Sequence, residues 1–223
     1  PMVYASLYPR EGNDTLLLRR ALEKLRLNDS SLQFEGERSS ALGLGFRCGF
    51  LGLFHLEIVQ ERLQREYGQE LVVTVPSVAY KVRLTSGEER VIRAAQDFPE
   101  PQSLAVVQEP WIQLHIILPP PYLSGVMQLI KERRGLITAT DYLTGSASME
   151  RLLIKAELPL AAVLTDYYDQ LKSRSSGFAS MYYELLDYSE ADIIRLDILI
   201  AGERTEALSS MVIEHEAARA GRN

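Results

Sequence analysis

The sequence is poor in the residues from which common chemical sites are built. It has one cysteine among 223 residues, Cys48, which excludes an internal disulfide and is typical of a reducing compartment. Cys48 stands in an apolar stretch, so we expect a buried structural thiol. The three histidines, His55, His115 and His215, lack a partner at metal-ligand spacing, and no zinc site is expected. No apolar run reaches the length of about 18 residues that a membrane-spanning helix needs.

Two nucleotide-binding motifs are absent as well. No glycine is followed by lysine, so the phosphate-binding loop that ends in Gly-Lys-Ser/Thr does not occur. The dinucleotide fingerprint Gly-x-Gly-x-x-Gly fails after Gly43 and Gly45, because Cys48 stands where the third glycine would be. The sequence therefore predicts no catalytic residue, no cofactor and no metal site in this chain.

Charge argues against general nucleic-acid binding. The formal net charge is −6, whereas neutralising phosphates requires clustered lysine and arginine. The acidic excess lies after residue 95. Any RNA contact in that part must use a few placed cations rather than a broad positive field.

The most informative segment is rich in glycine. Large apolar residues alternate with four glycines, at positions 43, 45, 49 and 52, and an amphipathic helix follows. In that helix Leu56, Val59 and Leu63 have helical spacing, and charged residues fill the other face. We interpret the glycines as serving close backbone packing in a strand.

The first part of the chain has the order β-α-β-β-α-β. Strands are predicted at Met2–Tyr8, Leu32–Phe34, around Phe46 and at Leu71–Leu84. The first helix is capped by Asn13 or Asp14 and has an apolar face of Leu18, Ala21, Leu22 and Leu25, and the second runs from Leu53 to Tyr67.

The same order then returns. Strands are predicted at Trp111–Leu118, Leu136–Tyr142, Met149–Glu157 and Ser180–Tyr188, with a hairpin turn across 143–147. One helix follows Pro119–Pro121, runs from Tyr122 to Arg134 and is ended by Gly135, and the other begins at Pro159 and ends near Leu171. In the tail, Ile193–Ile200 and Arg204–Leu208 are predicted to form a hairpin, and a helix is predicted from Met211.

These elements predict an α+β protein with two ferredoxin-like (βαββαβ) sandwiches in tandem and the start of a C-terminal α/β domain. The expected domains are 1–89 and 111–190, joined by a proline-containing linker over 90–110, with 191–223 as the third.

Several blocks resemble one family. They are Met2–Pro9, Ala21–Ser30, Ala41–Leu63, Pro119–Met127, Arg133–Gly135 and Asp197–Glu203. Their order and spacing resemble the translation elongation factor 4 (LepA) family, ribosome-dependent GTPases similar to elongation factor G. By this resemblance, 1–89 is similar to domain III of elongation factor G, 111–190 to its domain V, and 191–223 to the start of the family-specific C-terminal domain.

The resemblance implies a role in translation. It implies a fragment without the GTPase and barrel domains, so that GTP and Mg²⁺ belong to the missing GTPase domain and the fragment has no catalytic site. It implies a cytoplasmic monomer that binds the ribosome through ribosomal RNA, ribosomal proteins and tRNA. It further implies back-translocation of tRNAs, translation fidelity under stress, and peripheral association with the cytoplasmic face of the cell membrane.

Six cations are candidates for RNA contact. Lys131, Arg133 and Arg134 lie at the end of a helix, where favourable interaction with the helix dipole would also explain them. Lys172 and Arg174 flank a Gly/Ser loop suited to phosphate, although an ordinary surface loop has the same composition. Arg47 is the weakest candidate.

Three other positions have both an ordinary and a functional explanation. The run around His55 is similar to elongation factor G, in the domain that faces the GTPase, so His55 could relay the nucleotide state or only pack at a helix start. His115 lies in an apolar strand, where a hydrogen-bonded core or edge histidine is expected. Asp166 and Asp169 are explained by a solvated helix face.

One alternative function stays open. Paired ferredoxin-like domains also serve as ligand-sensing or regulatory modules, and a fold alone does not determine function. A sensor would need a polar pocket between the two sandwiches, whereas a ribosome-binding fragment would present long basic side chains at loops and helix ends.

Overall fold

The computed structural model describes residues 1–10, 15–39, 42–143, 150–197, 199–200, 203–204 and 209–214. The chain divides into two compact units. The first contains Pro1–Val107 and Ala191–Asn223, and the second contains Gln108–Glu190. The predicted cap at Asn13 or Asp14, the turn at 144–147 and His215 lie outside the described residues.

The first unit contains a ferredoxin-like sandwich, as predicted. Its elements are β1 (Val3–Pro9), α1 (Thr15–Asn28), β2 (Gln33–Ser39), β3 (Gly43–Phe50), α2 (Leu53–Tyr67), β4 (Leu71–Val73) and β5 (Ser77–Val78). The antiparallel strand order is β2-β3-β1-β4, with β5 also paired to β1. The helices bury the apolar positions that the sequence predicted, namely Leu18, Ala21, Leu22, Leu25, Leu56, Val59 and Leu63.

The strand predicted over Leu71–Leu84 was wrong as a single element. Pro76 has no N–H to donate, and the strand is interrupted before it. At the interruption the Thr74 hydroxyl replaces a backbone carbonyl, accepting a hydrogen bond of 2.8 Å from the Ser6 N–H. After β5, the chain forms a hairpin of β6 (Tyr80–Leu84) and β7 (Glu89–Ile92) around Gly87, whose φ of 87° is left-handed, and β6 also pairs with β8 (Leu104–Leu118).

The segment 90–110, predicted to be a linker, contains regular structure. It includes most of β7, the 3-10 turns Ala95–Asp97 and Pro101–Ser103, and the beginning of β8 (Leu104–Leu118). Ala95 and Phe98 are buried. The prolines that suggested a linker are compatible with these elements, because Pro101 begins a 3-10 turn and Pro110 lies beside an irregularity in the pairing of β8.

The second unit contains the other predicted sandwich. Its elements are the remainder of β8, α3 (Leu123–Glu132), β9 (Leu136–Leu143), β10 (Arg151–Pro159), α4 (Tyr167–Arg174) and β11 (Ser180–Glu190). Strand order β9-β10-β8-β11 is again ferredoxin-like and antiparallel. The central strand is the most deeply buried, with Ile112, Leu114, Ile116 and Leu118 fully inaccessible.

Both helices of this unit differ from prediction at one end. The chain after Pro159 forms a 3-10 turn at Leu160–Val163, and α4 begins only at Tyr167. Helix α3 ends at Glu132, and its left-handed residue is Arg134 (φ 61°). Gly135 serves close packing instead, because a Cβ there would lie 2.4 Å from Cγ2 of Ile130.

The tail is built from short strands. β12 (Ile193–Leu196) pairs with β15 (Ser210–Ile213), and β13 (Leu199–Ile200) pairs with β14 (Glu203–Arg204). The helix predicted from Met211 was therefore wrong at its start. Ile193 and Ile213 are directly opposed and both buried, which favours a strand for Met211–Ile213.

Candidate nucleic-acid interface

The end of α3 brings together the first three cationic candidates. Arg134 donates two hydrogen bonds to Glu109, from Nη1 to Oε1 at 2.7 Å and from Nη2 to Oε2 at 2.9 Å, and the Glu109 side chain is 1% exposed. Arg133 donates from Nη2 to Oδ1 of Asp166 at 2.6 Å, and Asp166 is 53% exposed. Lys131 is exposed and forms no ion pair with any residue in the described ranges.

Asp166 is more than part of a solvated helix face. Its partial burial opposes ionisation, but the hydrogen bond and positive charge of Arg133 more than offset this, so the pKa of Asp166 lies below its ordinary value. Asp166 directly precedes α4 and so ties the start of that helix to the end of α3.

The second candidate pair lies at the end of α4. The Nζ of Lys172 donates to the carbonyl oxygens of Ala179 at 2.6 Å and Gly177 at 3.2 Å, which closes the loop after the helix. The Nη2 of Arg174 donates to Oε2 of Glu132 at 2.6 Å, and this hydrogen bond, despite opposing desolvation, places the pKa of Glu132 below its ordinary value. Lys172 therefore has carbonyl partners and lies 5.3 Å from the centroid of the Tyr168 ring. Arg174 has a carboxylate partner and also donates from Nη1 to the carbonyl oxygen of Gly125 at 3.4 Å.

Arg47 belongs to the interior of the first unit. It contacts Glu37 through Nη2 and Asp97 through Nη1, the latter at 3.1 Å, and its side chain is 10% exposed. Burial disfavours its charge, but Glu37 and Asp97 more than offset this, so the pKa of Arg47 lies above its ordinary value. Burial and the charge of Glu37 also raise the pKa of the neighbouring Tyr8 to about 12.

The glycines of β3 explain how this cluster fits on the sheet. A Cβ on Gly45 would lie 2.4 Å from Cδ1 of Tyr8 and 2.6 Å from the carbonyl oxygen of Leu7. The Tyr8 ring thus lies against bare backbone, and its hydroxyl donates to Oε2 of Glu37 at 3.0 Å. This supports the close-packing interpretation at Gly45. At Gly43 the interpretation was wrong, because nothing lies within 4 Å of its Cβ position and its φ of 79° is left-handed.

His55 is fixed between two partners at the start of α2. The Leu51 N–H donates to its Nδ1 at 3.0 Å, so Nε2 carries the proton and donates to Oδ2 of Asp29 at 2.6 Å. Its ring also packs edge-on against Phe50. Through these contacts, His55 joins the end of α1 to the start of α2.

His115 is buried in β8, as expected, but the expectation of a hydrogen-bonded histidine was wrong. Neither ring nitrogen has a hydrogen-bond partner among the residues that the structure describes. The ring instead stacks on Tyr182, with the ring centroids 4.5 Å apart and the planes at 4°. Stacking rather than hydrogen bonding therefore holds this side chain.

Sequence reasoning missed an aromatic pair beside the α4 loop. Tyr122 and Phe178 stack with their ring centroids 5.9 Å apart, and Phe178 is 61% exposed. An aromatic residue directly after the Gly/Ser loop was the available signal, but its stacking partner lies 56 positions earlier, which the sequence does not reveal.

Across the described ranges, no group of three or more His, Cys, Asp or Glu side chains could hold a metal ion. None of the described helices is both long enough and apolar enough to cross a bilayer.

Comparison with known proteins gives two consistent matches. Residues 106–199 match the elongation factor G C-terminus family. Elongation factor 4 of Symbiobacterium thermophilum is 46% identical over 222 residues, covering all of this chain and 36% of that protein. The chain is homologous to elongation factor 4 along its whole length.

Further elongation factor 4 relatives agree. Elongation factor 4 of Cyanothece sp. is 46% identical over 222 residues, covering all of this chain and 36% of that protein. Elongation factor 4 of Streptococcus pneumoniae is 45% identical over 212 residues, covering 95% of this chain and 34% of that protein. This chain thus spans about a third of the length of the elongation factor 4 relatives that it matches.

A solved structure supports the fold. The crystal structure of a Thermus thermophilus protein matches with a TM-score of 0.52 and 23% identity, over 86% of this chain and 41% of that chain. At this identity the likeness concerns the fold alone. The elongation factor G C-terminus match covers the second sandwich from within β8 to beyond β11.

Proposed function

We propose that this chain is the ribosome-binding part of a translational GTPase of the elongation factor 4 kind. The observation that carries the proposal is the 46% identity along the whole chain to proteins named elongation factor 4. The two ferredoxin-like sandwiches and the matched elongation factor G C-terminus family are consistent with it. In this proposal the chain contacts ribosomal RNA, ribosomal proteins and tRNA, and acts as a monomer.

The chemistry of such a factor would lie elsewhere. GTP and Mg²⁺ would bind, and GTP would be hydrolysed, in a GTPase domain outside the matched region, because this chain has no Gly-Lys phosphate-binding loop. The biological result would be back-translocation of tRNAs and translation fidelity under stress. The factor would act in the cytoplasm, with peripheral association at the inner face of the cell membrane.

The geometry ranks the cations by their freedom to meet phosphate. Exposed ion pairs contribute at most about 1 kcal/mol, so a phosphate can compete for Arg133, whose partner is exposed. The same holds for Arg174, whose partner Glu132 is 42% exposed. Arg134 differs, because releasing it would leave Glu109 buried and unpaired.

Lys131 therefore ranks first for RNA contact, since it has no partner to give up among the described residues. Arg133 and Arg174 follow. Arg134 and Arg47 serve the fold in this ranking, and Lys172 closes its loop while its charge has no carboxylate partner among those residues.

Co-sedimentation with purified ribosomes across a salt series tests the proposal. Wild-type chain should pellet with ribosomes at low salt, and the logarithm of the binding constant should fall linearly with the logarithm of salt concentration. Lys131→Ala should weaken binding and reduce that slope by about one. Arg90→Ala, which removes an exposed pair with Glu88, is the matched control and should change neither. Absence of wild-type binding at low salt would overturn the proposal.

A cleft within the first unit gives no support to the alternative of ligand sensing. A polar cleft in the first unit has a volume of about 160 Å³ and is lined by Arg10, Gln60, Gln64, Gln69, Glu70 and Leu71. Small-molecule sites usually measure about 300–1,000 Å³ and are mostly apolar. This cleft is smaller than such sites.

A further inference from the structure

The aromatic pair Tyr122–Phe178 is placed unusually for apolar side chains. Phe178 is 61% exposed, yet its ring is ordered against Tyr122 at an interplanar angle of 21°. Tyr122 directly precedes α3, and Phe178 directly follows the loop closed by Gly177. One face of an aromatic ring is thus held against a partner, while much of the side chain stays open to solvent.

Strand register places this pair at one edge of the second unit. Ser180 lies opposite Ile117, and Leu152 lies opposite Leu118. The loop before β11, the start of α3 and the exposed Arg151 at the start of β10 therefore share this edge. The Tyr122–Phe178 pair lies among them.

Two segments at this edge lack acidic side chains. Neither 117–131 nor 170–183 contains an aspartate or glutamate, whereas the exposed Glu150 directly precedes Arg151 at the start of β10. The Nζ of Lys172 bonds only to carbonyl oxygens within the described residues, so no carboxylate neutralises it. The start of α3 has no side-chain cap, and its first amide, that of Leu123, donates to the carbonyl oxygen of Pro120 in the preceding 3-10 turn.

We propose that Phe178, backed by Tyr122, is a stacking platform for an unpaired base of RNA. The phosphate of that nucleotide lies beside Lys172 and the start of α3. The inference rests on the proposed function. It adds a stacking contact with a base, which distinguishes RNA from polyanions that have no bases. Aromatic rings stack on every base, so the platform is tolerant of sequence.

RNA fits this edge better than a protein partner does. The exposed residues near Phe178 in the sequence are small and polar, including Ser173, Ser176 and Ser180. An apolar protein contact would need a broader apolar patch. A single open ring beside uncompensated positive charge is the arrangement that single-stranded nucleic acid uses.

Side-chain replacement in the ribosome assay separates the two kinds of partner. Phe178→Ala should weaken binding roughly 5- to 150-fold, the range for losing one base–aromatic stack. Phe178→Leu should weaken it similarly, because it keeps an apolar side chain but no ring, and Phe178→Trp should retain binding. Tyr142→Ala, which removes an aromatic ring that is 70% exposed on β9, is the control and should bind as wild type. Retained binding by Phe178→Leu would indicate an apolar protein contact and overturn the inference.

A fluorescent reporter tests stacking without ribosomes. In a Trp111→Phe background, which removes the single tryptophan, Phe178→Trp places an indole at the platform. Poly(A) should quench its fluorescence at low salt, whereas polyphosphate, which has charge but no bases, should not. Equal responses to both would overturn the inference and leave only charge attraction. Ribosome binding by wild type together with unchanged binding by Phe178→Ala would overturn the inference while the proposed function stands.

Discussion

Arg134 and Glu109 form a two-pronged ion pair in which the carboxylate is almost completely buried and the arginine backbone is left-handed. The pair joins the second residue after α3 to the central strand β8. A buried carboxylate is tolerated when its charge is paired and hydrogen-bonded. The backbone strain at Arg134 indicates that the surrounding structure fixes this side chain in place.

Loss of this arginine should be costly. Arg134→Met keeps the apolar stem and leaves Glu109 buried without a partner, so the free energy of unfolding should fall by about 3–5 kcal/mol. Arg133→Met is the matched control and should lower it by less than about 1 kcal/mol, because Asp166 is exposed. Urea denaturation followed by circular dichroism measures both. Adding Glu109→Gln to Arg134→Met should recover part of the loss, and no recovery would contradict an electrostatic cause.

Two glycines on neighbouring strands should respond oppositely to alanine. Gly45→Ala would place a Cβ within 2.4 Å of the Tyr8 ring and 2.6 Å of backbone oxygen, so it should lower the free energy of unfolding by about 1–3 kcal/mol or more. Gly36→Ala on β2 meets nothing within 4 Å and should be neutral or stabilising by up to about 1 kcal/mol. Thermal denaturation compares the two. Equal effects would mean that the space opposite Gly45 is not limiting.

Asp29 should contribute to stability in a pH-dependent way. The side-chain hydrogen bond from Ser31, opposed by desolvation and reinforced by His55, places the pKa of Asp29 below its ordinary value of 3.8. A carboxyl group whose pKa is lower in the folded state than in the unfolded state stabilises the fold at pH above its unfolded-state pKa. This stabilisation is lost as the pH falls through the folded-state pKa. The stability advantage of wild type over Asp29→Asn should therefore be constant near neutrality and shrink below about pH 4. A difference independent of pH down to about pH 2.5 would refute this.

Cys48 should be chemically inert in the folded chain. It is fully buried, and burial, with the charge of Glu37, raises the pKa of its thiol far above the ordinary value. The thiolate is the reactive form, so a disulfide reagent such as 5,5′-dithiobis(2-nitrobenzoate) should label the native chain orders of magnitude more slowly than the urea-unfolded chain. Rapid labelling under native conditions would show that β3 is accessible.

Local patterns predicted much of the fold. The apolar spacing in α1 and α2 identified the buried residues, and the bounds of α2 agree with prediction. Errors occurred where distant contacts decide the outcome. The Thr74 hydroxyl divides a predicted strand through a bond to Ser6, 68 positions away, and pairing with Ile193 makes Ile213 a strand residue.

The candidate site was less predictable than the fold. Sequence composition identified cations at helix ends but not their partners, because Arg47 and Asp97 are 50 positions apart and Arg133 and Asp166 are 33 apart. From the sequence, Lys131 and Arg134 were therefore equally good candidates for RNA contact. Their partners, and the burial of those partners, separate the two residues.

The fit of Tyr8 against bare backbone at Gly45 also limits how such a sequence can drift. A methyl group at position 45 would meet the Tyr8 ring as well as the carbonyl oxygen of Leu7, and a small residue at position 8 would remove the ring contact but leave Glu37 without the hydroxyl it accepts from. Each substitution alone meets a barrier that the other changes, so their effects should not be additive. Positions 8 and 45 are therefore expected to covary across relatives.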